Sequence, residues 1–270
     1  MFGLYLCIIA ETDNPDRYFG VKLCAEQLPA VALLFILPLY VTNIWGFTGM
    51  AIFLYVVFML LAFWIPPRGN RSTTKNSKAN PNYSTRAVWL SLFCLMIFMI
   101  GISGVWAFVE RMTNDNDIGA IEIGRALSFG VIGGGLGAFI AALIGNKFGR
   151  KIPLLLSVSI LSAAFIVLNS DFSLFTFTLT CIALSGLWNY SLAYQMGIVA
   201  GLDISGRLTV MMPSALALGA MLGPAIAGLV IMGKDYLYVH LIAFTCVLFA
   251  TLVFIPLSQN IEVQSETLSS

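Results

Sequence analysis

Apolar and polar positions along this chain fall into long blocks, with neither the stripe of a surface helix nor the alternation of a half-buried strand. Apolar runs occupy residues 19–41, 47–65, 87–109, 118–144, 152–168, 174–199, 208–232 and 237–257, each parted from the next by a polar or glycine-containing turn. A helix of about 20 such residues crosses a hydrocarbon core about 30 Å thick, so the pattern predicts eight membrane helices. Residues 1–10 are apolar but too short to span, and read as the last turns of a helix. No basic region precedes them, and Glu11, Thr12, Asp13 and Asn14 stand where a signal peptide would need a small-residue cleavage site. The polar turn 11–17 then leads into the first full run, which is interrupted by Glu26, Gln27 and Pro29; Pro66-Pro67 ends the second.

One long polar segment divides these blocks. Residues 68–86 hold Arg68, Arg71, Lys75, Lys78 and Arg86 without an acid, among Ser, Thr and Asn. Such a composition builds no core, so the segment reads as a linker on one side of the membrane. The expected organisation is an N-terminal part at 1–67 with a stub and two helices, the linker at 68–86, a six-helix unit at 87–257 and a polar tail without fixed structure at 258–270. If the linker is cytoplasmic, alternate turns put Arg17, Lys22, Lys147, Arg150, Lys151 and Arg207 on its side, and only Arg111, Arg125 and Lys234 opposite. The positive-inside rule then places the C-terminus in the cytoplasm.

Composition sharpens the class. Hydrophobic residues make up 59% and charged residues 10% of 270 positions, whereas a soluble domain carries about a quarter charged. The expectation is an all-α polytopic membrane protein in contact with lipid. A net charge of +1 argues against a nucleic-acid partner, which needs basic residues clustered on one face. Five cysteines lie in separate apolar runs without metal-ligand spacing and read as small packing residues. With a single histidine, His240, there is no histidine cluster for a catalytic metal. Neither metal nor cofactor is expected, and an enzyme is disfavoured.

The turn after the run at 118–144 carries the chain's most informative motif. It reads Gly145-Asn146-Lys147-Phe148-Gly149-Arg150-Lys151. This resembles the loop motif that the major facilitator superfamily of secondary transporters places between the second and third helices of each half. Lys147, Gly149, Arg150 and Lys151 match; Asn146 stands at the motif's acid and Ala142 at its leading glycine. Residues 219–228, with Gly219, Gly223, Pro224 and Gly228, resemble the family's glycine-proline helix motif. Residues 104–111 and 203–207 are similar to segments of bacterial members.

The resemblance implies a partial major-facilitator-like fold: a complete six-helix second half, preceded by two helices and a stub of the first. On it the chain lacks three helices and most of a fourth. It implies secondary transport of a small solute by alternating access in a bacterial inner membrane, with proton coupling as one version. If Met1 is the protein's start, either a partner chain supplies the missing wall or the polypeptide is a non-transporting remnant.

Individual residues leave alternatives open. In the family the basic turn latches cytoplasmic helix ends; the plainer reading is that it sets topology. Glu26 either accepts a proton in a cavity or pairs with Lys22 one turn earlier. Glu110, Arg111, Glu122 and Arg125 lie near the non-cytoplasmic mouth as a gate or as static interfacial charges, with Arg125 deepest. Trp106, Asn189, Tyr190, Tyr194 and Gln195, joined by Arg125, are candidates to line a solute path; helix packing is the alternative. His240 reads as a polar anchor or a proton switch. The glycines at 219, 223 and 228 read as helix-contact surfaces.

Overall fold

In the computed structural model, residues 6, 9–10, 12, 14–36, 43–63, 85–113, 118–170, 172–203, 206–231 and 235–269 are described. The stub at 1–10 and the linker at 68–86 fall largely outside them, as does Lys234. Eight helices appear among the described residues: α1 (Pro15–Ile36), α2 (Asn43–Phe63), α3 (Thr85–Phe108), α4 (Ala120–Ile144), α5 (Lys151–Leu168), α6 (Leu174–Leu202), α7 (Met212–Val230) and α8 (Leu237–Ser269). Single 3₁₀ turns at Arg111–Thr113 and Thr209–Met211 join neighbours, and there is no β-sheet among the described residues.

Five of these segments are long and apolar enough to cross a membrane: Thr85–Phe108, Ile121–Ile144, Lys151–Leu168, Thr209–Val230 and Leu237–Gln259. The protein is therefore an all-α polytopic membrane protein. Three expected spans differ in kind. α1 carries Asp16, Arg17, Lys22 and Glu26, α2 (Asn43–Phe63) is apolar but broken by a non-helical Gly46 (φ 63), and α6 is diluted by Ser185, Asn189, Ser191 and Gln195.

α6 is nonetheless the axis of the bundle. It packs against α4 and α5 most extensively, and also against α1, α3 and α8, and every residue from 189 to 200 is buried. Its polar side chains are covered by protein rather than lipid, which is how a helix of low hydropathy can stand in a bilayer. α3 mirrors it on the other side, carrying α7 and α8. α7 buries only Met212, Gly219, Gly223 and Ala227, one stripe at helical spacing. Among the described residues α2 makes no extended contact with the bundle.

Small residues set these crossings. A Cβ at Gly133 would lie 2.6 Å from the Ile182 carbonyl, and one at Gly137 would run into Gly186, so α4 and α6 meet backbone to backbone. Gly20 brings α1 equally close to Ala138 and Ala142 of α4. Gly219 and Gly223 press on Met96, Ile100 and Gly104 of α3, where Ser103 Oγ donates to the Gly219 carbonyl at 3.2 Å. Gly228 is different: it is exposed, and its nearest neighbour is Phe108 Cζ at 3.7 Å from a built Cβ, so it belongs to no tight crossing. Pro224 is half-buried within the uninterrupted α7.

The tail departs from expectation, because α8 continues through 258–269 instead of ending at the last apolar residue. Beyond Pro256 this stretch contains no glycine or proline to stop a helix already nucleated in the bundle.

Candidate functional site

The antiparallel order of the helices gathers the N-terminus of α1, the α4–α5 turn and the C-terminus of α6 at one end, the basic end. The turn exists because Gly145 (φ 53) and Gly149 (φ 65) take left-handed backbone conformations that cost an L-residue about 1–2 kcal/mol. Gly145 N–H closes α4 on the Ala141 carbonyl at 2.8 Å, and Gly149 N–H bonds the Asn146 carbonyl at 3.2 Å. Arg150 is thereby turned back under the bundle.

There it meets Asp16. Arg150 Nε lies 3.1 and 3.0 Å from the two carboxylate oxygens, and Nη2 lies 2.9 Å from Oδ2. Both side chains are almost fully buried, at 6% and 1% exposure. The fork matches the carboxylate geometrically, which offsets the desolvation of two charges. Room comes from Gly197 of α6: a side chain there would collide with the Asp16 carboxylate, and Gly145 likewise sits under the Asn14 side chain. Asn146, by contrast, is exposed. The acid that pairs with Arg150 comes from α1, 134 positions away. Lys147 and Lys151 are exposed and extend the basic surface.

A second buried acid closes the same end. Asp203, just past α6, accepts through Oδ2 from Leu208 N at 2.7 Å, Thr209 N at 2.6 Å and Thr209 Oγ1 at 3.0 Å. It caps the 3₁₀ turn Thr209–Met211 that leads into α7, with Gly206 (φ 66) forming the bend.

In the interior, the solute-path candidates separate into three groups around α6. Trp106 of α3 lies beside Trp188, ring centroids 6.5 Å apart. Asn189 turns toward α1 and α4: its amide donates to the Ser185 carbonyl at 3.0 Å, its oxygen lies 3.5 Å from Gln27 Nε2, and Gly134 leaves the space. Tyr190 and Tyr194 stack edge to face at 5.2 Å, and Gln195 Nε2 donates to Ser191 Oγ at 2.9 Å. Thus Asn189 and Tyr190 do not share a face, as expected from adjacent positions about 100° apart on a helix. Within this layer Trp188 Nε1 and Gln195 Oε1 are buried without a hydrogen-bond partner. Gln27 was legible only as an interruption of an apolar run, and Trp188 as an aromatic neighbour of Asn189.

Arg125 does not join them. It is exposed on α4, as are Glu110, Arg111 and Glu122 around it. No ion pair joins these four residues among the described ones. Arg111 lies 5.6 Å over the Phe108 ring, and Glu122 Oε2 accepts the Gly119 N–H at 3.3 Å, so each is held locally. Glu26 takes the local pairing: Lys22 Nζ is 2.9 Å from its Oε2. His240 is buried, with Nδ1 3.4 Å from Asn169 Oδ1 and its ring against Phe165. Among the described residues no group of three or more His, Cys, Asp or Glu could hold a metal ion.

Comparison with known protein families finds no family whose profile matches the chain, and comparison with curated proteins finds no match either.

Proposed function

We propose that this protein is a secondary transporter that moves a small solute by alternating access, with the solute path running along α6. The observation that carries the reading is the buried polar layer of that helix. Ser185, Asn189, Ser191 and Gln195 lie inside the bundle, and Trp188 Nε1 and Gln195 Oε1 beside them have no hydrogen-bond partner. Each buried unpaired polar group costs on the order of 1–3 kcal/mol. Packing alone offers no compensation, whereas a hydrated or solute-filled path does. Aromatic surfaces with a few hydrogen-bonding groups suit a small amphipathic solute.

In this reading α3 to α8 are the second half of a major-facilitator-type fold, and α1 belongs to the first. Their docking at the basic end supports it: Asp16 on Arg150 ties the two parts where the family's loop latches helix ends. Breaking that pair would release α1 from α4 and α6 and open the basic end.

Thiol accessibility tests alternating access without knowledge of the solute. Ser185→Cys is placed in a chain whose native cysteines are replaced, and sealed vesicles of each orientation receive a membrane-impermeant thiol reagent. Labelling is expected from both faces. Labelling from one face only, or from neither, would overturn the proposal.

A further inference from the structure

The bundle contains a second feature, which meets the solute-path candidates only at Tyr190 among the described residues. α4 and α5 are consecutive and joined by a tight turn, yet make no extended contact with each other among the described residues; both rest on α6. The splay leaves a cleft of 350 Å³ between them, within the size range of small-molecule sites. Gly133, Gly137 and Gly186 form its floor, and Ile140, Ile144 and Leu156 are among its walls. Among the described residues Tyr190 is the only polar side chain in the lining.

Water does not suit this space, since a buried water needs two to four polar partners. A dry void would forfeit dispersion contacts along its whole wall. The rim residues Leu136, Ile140 and Leu156 are exposed, so the cleft opens sideways into the hydrocarbon that surrounds the bundle. From Gly133 to Ile144 it runs about 16 Å along the helix axis, the shape of an extended alkyl chain.

Its end toward the turn is charged. The Ile144 carbonyl accepts the Lys147 N–H at 3.3 Å, which sets Lys147 one turn beyond the last wall residue of α4. Lys151 opens α5 on the other side, about one and a half turns before Leu156. Both lysines are exposed, and neither forms an ion pair within 4.0 Å among the described residues. Arg150, between them in sequence, is committed to Asp16.

We propose that this cleft binds one acyl chain of an anionic phospholipid whose phosphate sits between Lys147 and Lys151. An apolar slot entered from the bilayer, with two available cations at headgroup level, selects for that combination of chain and charge. The lipid would wedge α4 from α5 beside the Asp16–Arg150 pair, so its presence favours the splayed arrangement.

Native mass spectrometry of the full chain tests this, with phosphatidylglycerol and phosphatidylcholine of identical acyl chains as probes. Phosphatidylglycerol should be retained more strongly, on the order of tenfold. Lys147→Gln with Lys151→Gln should erase the preference. Ala183→Phe, which fills the cleft, should remove the adduct of either lipid; Leu136→Trp, at the rim, serves the same purpose if that variant fails to fold. Equal retention of the two lipids by the unaltered chain overturns the proposal. So does a preference that survives the loss of both lysines, an adduct that survives a folded cleft-filling variant, or a fatty acid retained in place of phospholipid.

Discussion

The two ends of the bundle carry similar kinds of residue and treat them in opposite ways. At the basic end Asp16, Arg150 and Asp203 are buried and matched, the first two to each other and the third to the start of α7. At the other end Glu110, Arg111, Glu122 and Arg125 stand exposed, with no ion pair among them. A buried charge is tolerated only with a well-aligned partner, so each one marks a contact that holds one geometry. An exposed charge marks none. A buried ion pair thus fixes one geometry at the basic end, whereas among the described residues no ion pair joins the four charges at the other.

Removing one member of the buried pair should have the largest effect. Arg150→Met leaves the Asp16 carboxylate under Gly197 without its partner, and a loss of about 3–5 kcal/mol is expected, read from the denaturant midpoint of the purified protein. Asp16→Asn should cost a comparable amount by stranding the guanidinium. Asp16→Asn combined with Arg150→Met should then cost less than the sum, because neither charge remains to be stranded. Strict additivity would mean that the two residues do not act as a pair.

The capping acid comes next. Asp203→Ala removes one oxygen that serves three donors, and losing a helix N-cap costs about 0.5–2 kcal/mol. Because the bond joins α6 to the turn before α7, the expected readout is faster hydrogen exchange confined to residues 206–212, with α4 and α5 unchanged. Exchange that rises equally throughout the bundle would show instead that Asp203 supports the whole fold.

Much of this architecture could be read from the sequence, and what could not has a physical reason. Length and apolarity locate α3, α4, α5, α6 and α8 at their N-terminal ends to within about two residues, because a membrane helix must be both long and apolar. The sequence also identifies the α4–α5 turn, since its glycines and basic residues are local features. The Asp16–Arg150 pair is not local: its members are 134 positions apart, and Asp16 reads as one more polar residue in a surface turn. One signal could have found it, since Asp16 falls on the same side as the basic turn and starts a helix. The role of α6 was hidden for a related reason. Its span is legible at 174–199, but the burial of its polar residues depends on five neighbouring helices. The separation of Asn189 from Tyr190 follows from helical geometry alone and was available from the start.

The exposed end offers the smallest effects and the sharpest check on the contrast. Arg125→Gln and Glu110→Gln should each move the unfolding free energy by no more than about 0.5 kcal/mol, the usual range for surface substitutions. Glu122→Gln should do slightly more, because a carboxylate in the first turn of α4 interacts favourably with the helix dipole and accepts the Gly119 N–H. The informative quantity is the coupling between Glu110 and Arg125 in a double-mutant cycle. Residues that share no contact add within about 0.3–0.5 kcal/mol, so the cycle should close near zero. A coupling well above that would mean the two charges meet in the populated state, and this mouth would then be a gate held shut by an ion pair.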